Sequence, residues 1–142
     1  MRTADDLKQT MRERGLRVTP QRMCIVTHLY ENASHPTVEA LYDATRVEMP
    51  TISLKTVYQT VHDLEALGQV SLLDLGTGSV RVDPNVEDEH QHLVCVDCGV
   101  VRDVSVDHPD VRPDPADGEG FRITGTEIVF RGQCATCADP DN

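Results

Sequence analysis

The sequence predicts an α+β protein in two parts, helices first and strands after, with residues 1–83 as one domain and residues 84–142 as the other. Three observations lead there. Apolar residues recur at helical spacing up to Gly68, the period changes to two from Val70 onward, and both Cys-x-x-Cys pairs fall in the second part.

The helices come in order. Thr3 is placed to cap a helix carrying Ala4, Leu7 and Met11, which Gly15 ends; Thr19-Pro20 opens a second, with Met23, Cys24, Val26, Leu29 and Tyr30 on its apolar face. Thr37 opens a third with Val38, Leu41, Tyr42 and Thr45, closed by Pro50. Ser53 opens a fourth, with Val57, Val61, Leu64 and Leu67 inward and Gly68 at its end. Val70 to Leu75 and Val80 to Asp83 then read as a hairpin turning at Gly76-Thr77-Gly78. Helices followed by a hairpin predict a winged helix. In that arrangement the last helix enters the major groove, so Ser53, Lys55, Thr56, Tyr58 and Gln59 are the candidate contacts to double-stranded DNA.

In the second part, His92 to Val96, Val100 to Val106, Phe121 to Thr124 and Glu127 to Arg131 read as strands. Between them His108 to Gly120 holds Pro109, Pro113 and Pro115 among aspartates, which predicts an irregular loop.

Charge has to be read by halves. The formal charge of −11 argues against phosphate binding by the chain as a whole, yet residues 1–82 carry 9 basic and 10 acidic residues, while residues 83–142 carry 4 and 14. The first half is therefore nearly neutral, and Arg12, Arg14, Arg17 and Arg22 cluster within it. Any DNA contact is expected there. No stretch reaches the roughly 18 apolar residues of a membrane span and no apolar signal core follows Met1, so a cytoplasmic protein without a membrane partner is expected.

Cys95, Cys98, Cys134 and Cys137 form the strongest motif. A two-residue gap lets both sulfurs of a pair reach one ion, and two such pairs complete the tetrahedron of a closed structural Zn(II) site. Cys24, alone on a helical apolar face, reads as a core residue. His90 and His92 stand two apart ahead of Cys95. On a regular strand both imidazoles share one face and Cys95 takes the other, giving two separate metal sites. Asp83, Asp103 and His35 are further candidate ligands, although each is also a residue type that solvated loops hold.

Taken together, Leu16 to Arg22 (Leu-Arg-Val-Thr-Pro-Gln-Arg), His35-Pro36-Thr37, Ser53 with Thr56-Val57-Tyr58, His-x-His before Cys-x-x-Cys-Gly, and the final Cys-x-x-Cys resemble the ferric uptake regulator family over nearly the whole chain. The resemblance implies an N-terminal winged-helix DNA-binding domain, a C-terminal β-rich domain that forms a homodimer, and a regulatory metal at the hinge. Within the family, His35, Asp83, His90, His92 and Asp103 match the regulatory ligands of the peroxide-responsive branch. Asp83 is the informative position, since iron-uptake members usually carry glutamate there and a richer histidine cluster. Three imidazoles and two carboxylates suit Fe(II) or Mn(II).

The same resemblance implies a repressor. Peroxide acting at bound Fe(II) would oxidise His35 or His90, empty the site, release a palindromic operator and derepress genes of peroxide defence, catalase among them. The proline-rich 108–120 segment replaces a helix that relatives place in the dimerisation domain; shortened actinobacterial members found beside catalase genes look similar. Gln133 ahead of Cys134 and a histidine-free preceding strand argue against a further metal site of some members.

Three other readings fit parts of the sequence. Iron- or zinc-uptake control keeps the fold and changes the metal and the regulon. A zinc hydrolase would use His90, His92 and a carboxylate around an open coordination position, and a thiol-switched redox protein would cycle the Cys-x-x-Cys pairs to disulfides.

Overall fold

The computed structural model describes residues 1, 3–30, 32–106, 111–114 and 117–138. Two compact units divide between Asp88 and Glu89. The sequence places that division after Asp83. The intervening segment stays with the first unit because the Met1 ammonium donates to the Pro84 carbonyl at 2.8 Å and lies 3.9 Å from Glu87.

The first unit contains α1 (Ala4–Glu13), α2 (Pro20–Leu29), α3 (Val38–Glu48) and α4 (Leu54–Ala66), followed by β1 (Ser71–Leu73) and β2 (Arg81–Asp83). Each helix begins where its cap predicts. The side chains of Thr3, Thr19, Thr37 and Ser53 accept from backbone N–H groups three residues on, satisfying donors that have no partner within the helix. Leu7 and Met11 of α1, Ile25, Val26 and Leu29 of α2, Leu41 of α3, and Val57, Val61 and Leu64 of α4 close on one another as a single core. Tyr30, read as part of the α2 apolar face, ends that helix in extended backbone and is 39 % exposed.

The wing is the antiparallel pair β1–β2, with Leu72 opposite Val82. Its second strand has another neighbour. Thr37 bridges to Arg81, and Val82 N–H donates to the Pro36 carbonyl at 2.9 Å, so the 35–37 segment forms a third edge of the wing. That pairing joins residues far apart in the chain, Pro36 and Thr37 with Val82 and Arg81, and leaves no periodic signal.

The second unit is a three-stranded sheet in the order β4–β3–β5, from β3 (Gln91–Cys95), β4 (Val101–Val104) and β5 (Val129–Gly132), with a one-turn helix α5 (Ala135–Ala138). β3 and β4 are an antiparallel hairpin; β3 and β5 run parallel, with Cys95 opposite Gly132. Phe121 to Thr124 is not a strand. It finds no sheet edge among the described residues, and Phe121 and Ile123 are 81 % and 55 % exposed, so alternation and branching there have no partner to act on. Residues 111–114 and 117–120 are irregular, as Pro113 predicts; Pro109 and Pro115 lie outside the described residues. No described helix is long and apolar enough to cross a membrane.

Candidate metal centres and nucleic-acid interface

Two adjacent parallel strands that each end in a Cys-x-x-Cys turn deliver both turns to the same end of the sheet. In the first turn Gly99 N–H donates to the Cys95 carbonyl at 2.9 Å, with Gly99 at φ 70°, a conformation glycine adopts without strain. In the second, Cys134 accepts from the N–H groups of Cys137 and Ala138, which makes the turn the start of α5. The four sulfurs all lie within 4.8 Å of one another, and those of Cys98 and Cys134 are 3.7 Å apart. Zinc–sulfur bonds of about 2.3 Å at tetrahedral angles separate sulfurs by about 3.8 Å, so the set fits Zn(II).

Electrostatics agrees with that fit. The Cys95 thiol is drawn down to about 6, chiefly by the backbone N–H of Cys98 and then by that of Cys134, which reaches its sulfur at 3.3 Å. Cys137 is pushed up to about 12, chiefly by its hydrogen bond with Cys134 and then with Cys98. Thiols this close hold their protons between them unless a cation replaces those protons.

In the first unit, the third wing edge sets His35 beside Asp83. His35 has φ 49°, a left-handed backbone that is uncommon for any residue but glycine. Arg81 donates to its carbonyl at 3.3 Å, and its ring Nδ1 lies 3.1 Å from the Ala33 carbonyl. A carbonyl can only accept, so the neutral ring carries its proton on Nδ1 and turns the Nε2 lone pair toward Asp83 Oδ1, 3.7 Å away. Asp83 is held in turn by the Asn85 N–H, which donates to Oδ1 at 2.8 Å. Both residues are buried. The spacing is too long for a hydrogen bond, yet it falls between the cis and trans separations, about 3.0 and 4.2 Å, of ligands bonded at about 2.1 Å.

The second unit repeats the arrangement. His92 sits directly opposite Asp103 across the β3–β4 ladder, so the two share a face. His90 Nε2 lies 3.7 Å from Asp103 Oδ1, and the rings of His90 and His92 meet edge to face at 4.9 Å. His92 is buried, as are Val94 and Cys95, whereas Leu93 between them is exposed. His90 precedes the first residue of β3, so the regular strand from 90 to 95 is not met, yet its approach to Asp103 and to the His92 ring puts the two imidazoles on one side. Sequence reasoning missed Ala33 and Asn85, which orient His35 and Asp83 through backbone groups. The Asp-Pro-Asn run at residues 83 to 85 was a legible turn signal for the latter.

On the candidate DNA face, Arg17, Lys55, Tyr58 and Gln59 are exposed. Ser53 and Thr56 are engaged in the α4 cap, their hydroxyl oxygens 2.9 Å apart. Tyr58 donates to Glu39 at 2.6 Å, which lowers the Glu39 carboxyl and raises the Tyr58 phenol, while Gln59 donates to Asp63. Arg22, counted in the sequence toward a positive field, instead pairs with Asp63 and donates to the Arg17 carbonyl, so it braces α2 against α4.

Comparison with known proteins agrees with these elements. The chain is 32 % identical to the peroxide operon regulator of Bacillus subtilis over 143 residues, 98 % of each chain. Its structure superposes on the ferric uptake regulator of Helicobacter pylori with a TM-score of 0.78 at 19 % identity, covering 99 % of this chain and 97 % of that one, a likeness of fold. It also superposes on the peroxide-sensing regulator PerR of Streptococcus pyogenes with a TM-score of 0.56 at 25 % identity, over 96 % and 94 % of the two chains. The family model for ferric uptake regulators matches residues 13–131. With the winged-helix unit and the β-rich unit both in place, the chain belongs to the ferric uptake regulator family, whose members are transcription regulators and not enzymes.

Proposed function

We propose that the chain is a metal-dependent, homodimeric transcriptional repressor of the peroxide-responsive kind, releasing a palindromic operator when one of its own histidines is oxidised. The observation that carries this reading is the matched pair of spacings. His35 faces Asp83 and His90 faces Asp103, each at 3.7 Å, in two different units. We infer that one Fe(II) or Mn(II) draws His35 and Asp83 from the first unit and His90, His92 and Asp103 from the second. Zn(II) on Cys95, Cys98, Cys134 and Cys137 stays in place throughout.

The chain's own residues define the chemistry. The Ala33 carbonyl fixes the His35 tautomer and the Asn85 N–H fixes Asp83, so both reach the ion preoriented. Fe(II) held by these residues would supply the redox chemistry that cleaves the peroxide O–O bond, with no net change in its own oxidation state. The net change would be insertion of one peroxide oxygen at an imidazole carbon of His35 or His90, the displaced hydrogen staying on that oxygen or on a ring nitrogen, while the second peroxide oxygen leaves as water. The altered ring is a poorer ligand, and a site that joins two units then ceases to hold them in the DNA-binding arrangement. Leu93 and Phe130 are register partners on one face of the second unit, 44 % and 41 % exposed, which supports a partner subunit covering that face. The relative in Bacillus subtilis, a peroxide operon regulator, supports peroxide-defence genes as targets, and a catalase gene is our proposal for one of them.

The test is a gel shift on the chain's own promoter with zinc-replete protein: without added metal, with Mn(II), and with anaerobic Fe(II), before and after low peroxide. The expected result is binding in both metal states and loss on peroxide only with Fe(II), with one oxygen found on a peptide containing His35 or His90. Metal-dependent binding that ignores peroxide would assign uptake control instead.

A further inference from the structure

Outside the ligands already considered, a third group of metal-binding side chains lies within the helical unit. Cys24 and His28 are four residues apart on α2 and so occupy one face of it, and Glu48 is the last residue of α3. One ligand atom from each lies within 4.8 Å of the other two. Cys24 is buried, His28 is half-buried and Glu48 reaches solvent. The His28 Nε2 atom is itself shut off from solvent. It makes no hydrogen bond among the described residues, although Glu48 Oε1 stands only 2.9 Å away. The pair thus has the separation of cis ligands, about 3.0 Å for bonds of about 2.1 Å, without the alignment of a hydrogen bond.

We propose that Cys24, His28 and Glu48 form a third metal site, taking Zn(II) or another thiolate-accepting divalent cation such as Co(II), with a fourth position open on the solvent side. Thiolate, imidazole and carboxylate together select zinc-like ions over Fe(II), Mn(II) and Mg(II), so this site discriminates differently from the histidine and aspartate ligands. Binding breaks the Cys24 S–H bond, releases the proton to solvent and forms a metal–sulfur bond. Burial and then Glu48 raise the thiol above its ordinary value, so Cys24 remains protonated and unreactive until a metal enters. Two helix C-termini also converge here, and each favours a cation. Occupancy ties the end of α2 to the end of α3, immediately before the Met49–Ile52 turn that leads to the Ser53 cap of α4. A zinc-like ion would therefore act on α4, the candidate DNA-contacting helix, from inside the helical unit.

The test uses the full chain with structural zinc retained, titrated with Co(II) while zinc release is monitored. A sulfur-to-cobalt charge-transfer band is expected with no zinc released, because histidine and carboxylate ligands alone give no such band. Cys24→Ser should abolish it, and His28→Gln and Glu48→Gln should each weaken cobalt binding at least tenfold. The two substitutions at half-buried and exposed residues preserve the test if Cys24→Ser does not fold. No band at saturating Co(II), a band that rises in step with zinc release, or one indifferent to all three substitutions would overturn the proposal.

Discussion

The helical unit and the β-rich unit reach order by different means. The first closes an apolar core drawn from four helices and the wing, whereas among the described residues of the second only Val94, Cys95 and Val101 are buried apolar side chains. Three strands of four or five residues cannot bury enough surface to hold themselves together, so the second unit depends on bonds that burial does not supply. Four converging sulfurs are such a source. Hydrophobic periodicity describes a unit folded by burial and is nearly silent about one folded by coordination, where ligand spacing takes its place.

The largest expected effect comes from removing the ion. Chelation of zinc, or Cys134→Ser, should unfold the second unit and leave the helical ellipticity of the first, because a structural zinc contributes about 10 to 16 kcal/mol. Hydrogen exchange read by peptide is the check, and persistent protection across residues 91–104 in zinc-free protein would break the comparison. Leu64→Ala is the counterpart in the first unit, where it should cost about 3 kcal/mol in urea unfolding while zinc content is unchanged. Coupled zinc loss would show that the units do not fold by separate means. The smallest effect, about 1 kcal/mol, is expected from Ser53→Ala, which removes the acceptor at the start of α4. A fall of about 4 to 8 °C in the melting of the helical unit alone would sharpen the contrast.

Much of this was legible in the sequence, for local reasons. A cap acts on the N–H three residues on, so Thr3, Thr19, Thr37 and Ser53 announced the four helices. The cysteine pairs did the same for their own convergence, since a two-residue gap constrains geometry within one turn. Features made by distant pairing escaped. Nothing near His35 signals that Arg81 will pair with Thr37, which is what brings Asp83 to the imidazole, and nothing near Phe121 signals that a branched, alternating run will lack a neighbour. Cys24 was legible as buried but not as a neighbour of Glu48, because a helix face read alone does not name the helix packed against it.

The parallel pairing of β3 with β5 also bears on how such a chain can change in length. Once the two strands lie side by side and their ends are clamped, the connection from Val104 to Val129 is a closed loop whose anchor points are fixed whatever lies between. Loop closure grows only logarithmically with contour, each doubling costing about 0.6 kcal/mol. Insertions and deletions in that connection should therefore cost little in folding, so length can change there without disturbing the two Cys-x-x-Cys turns.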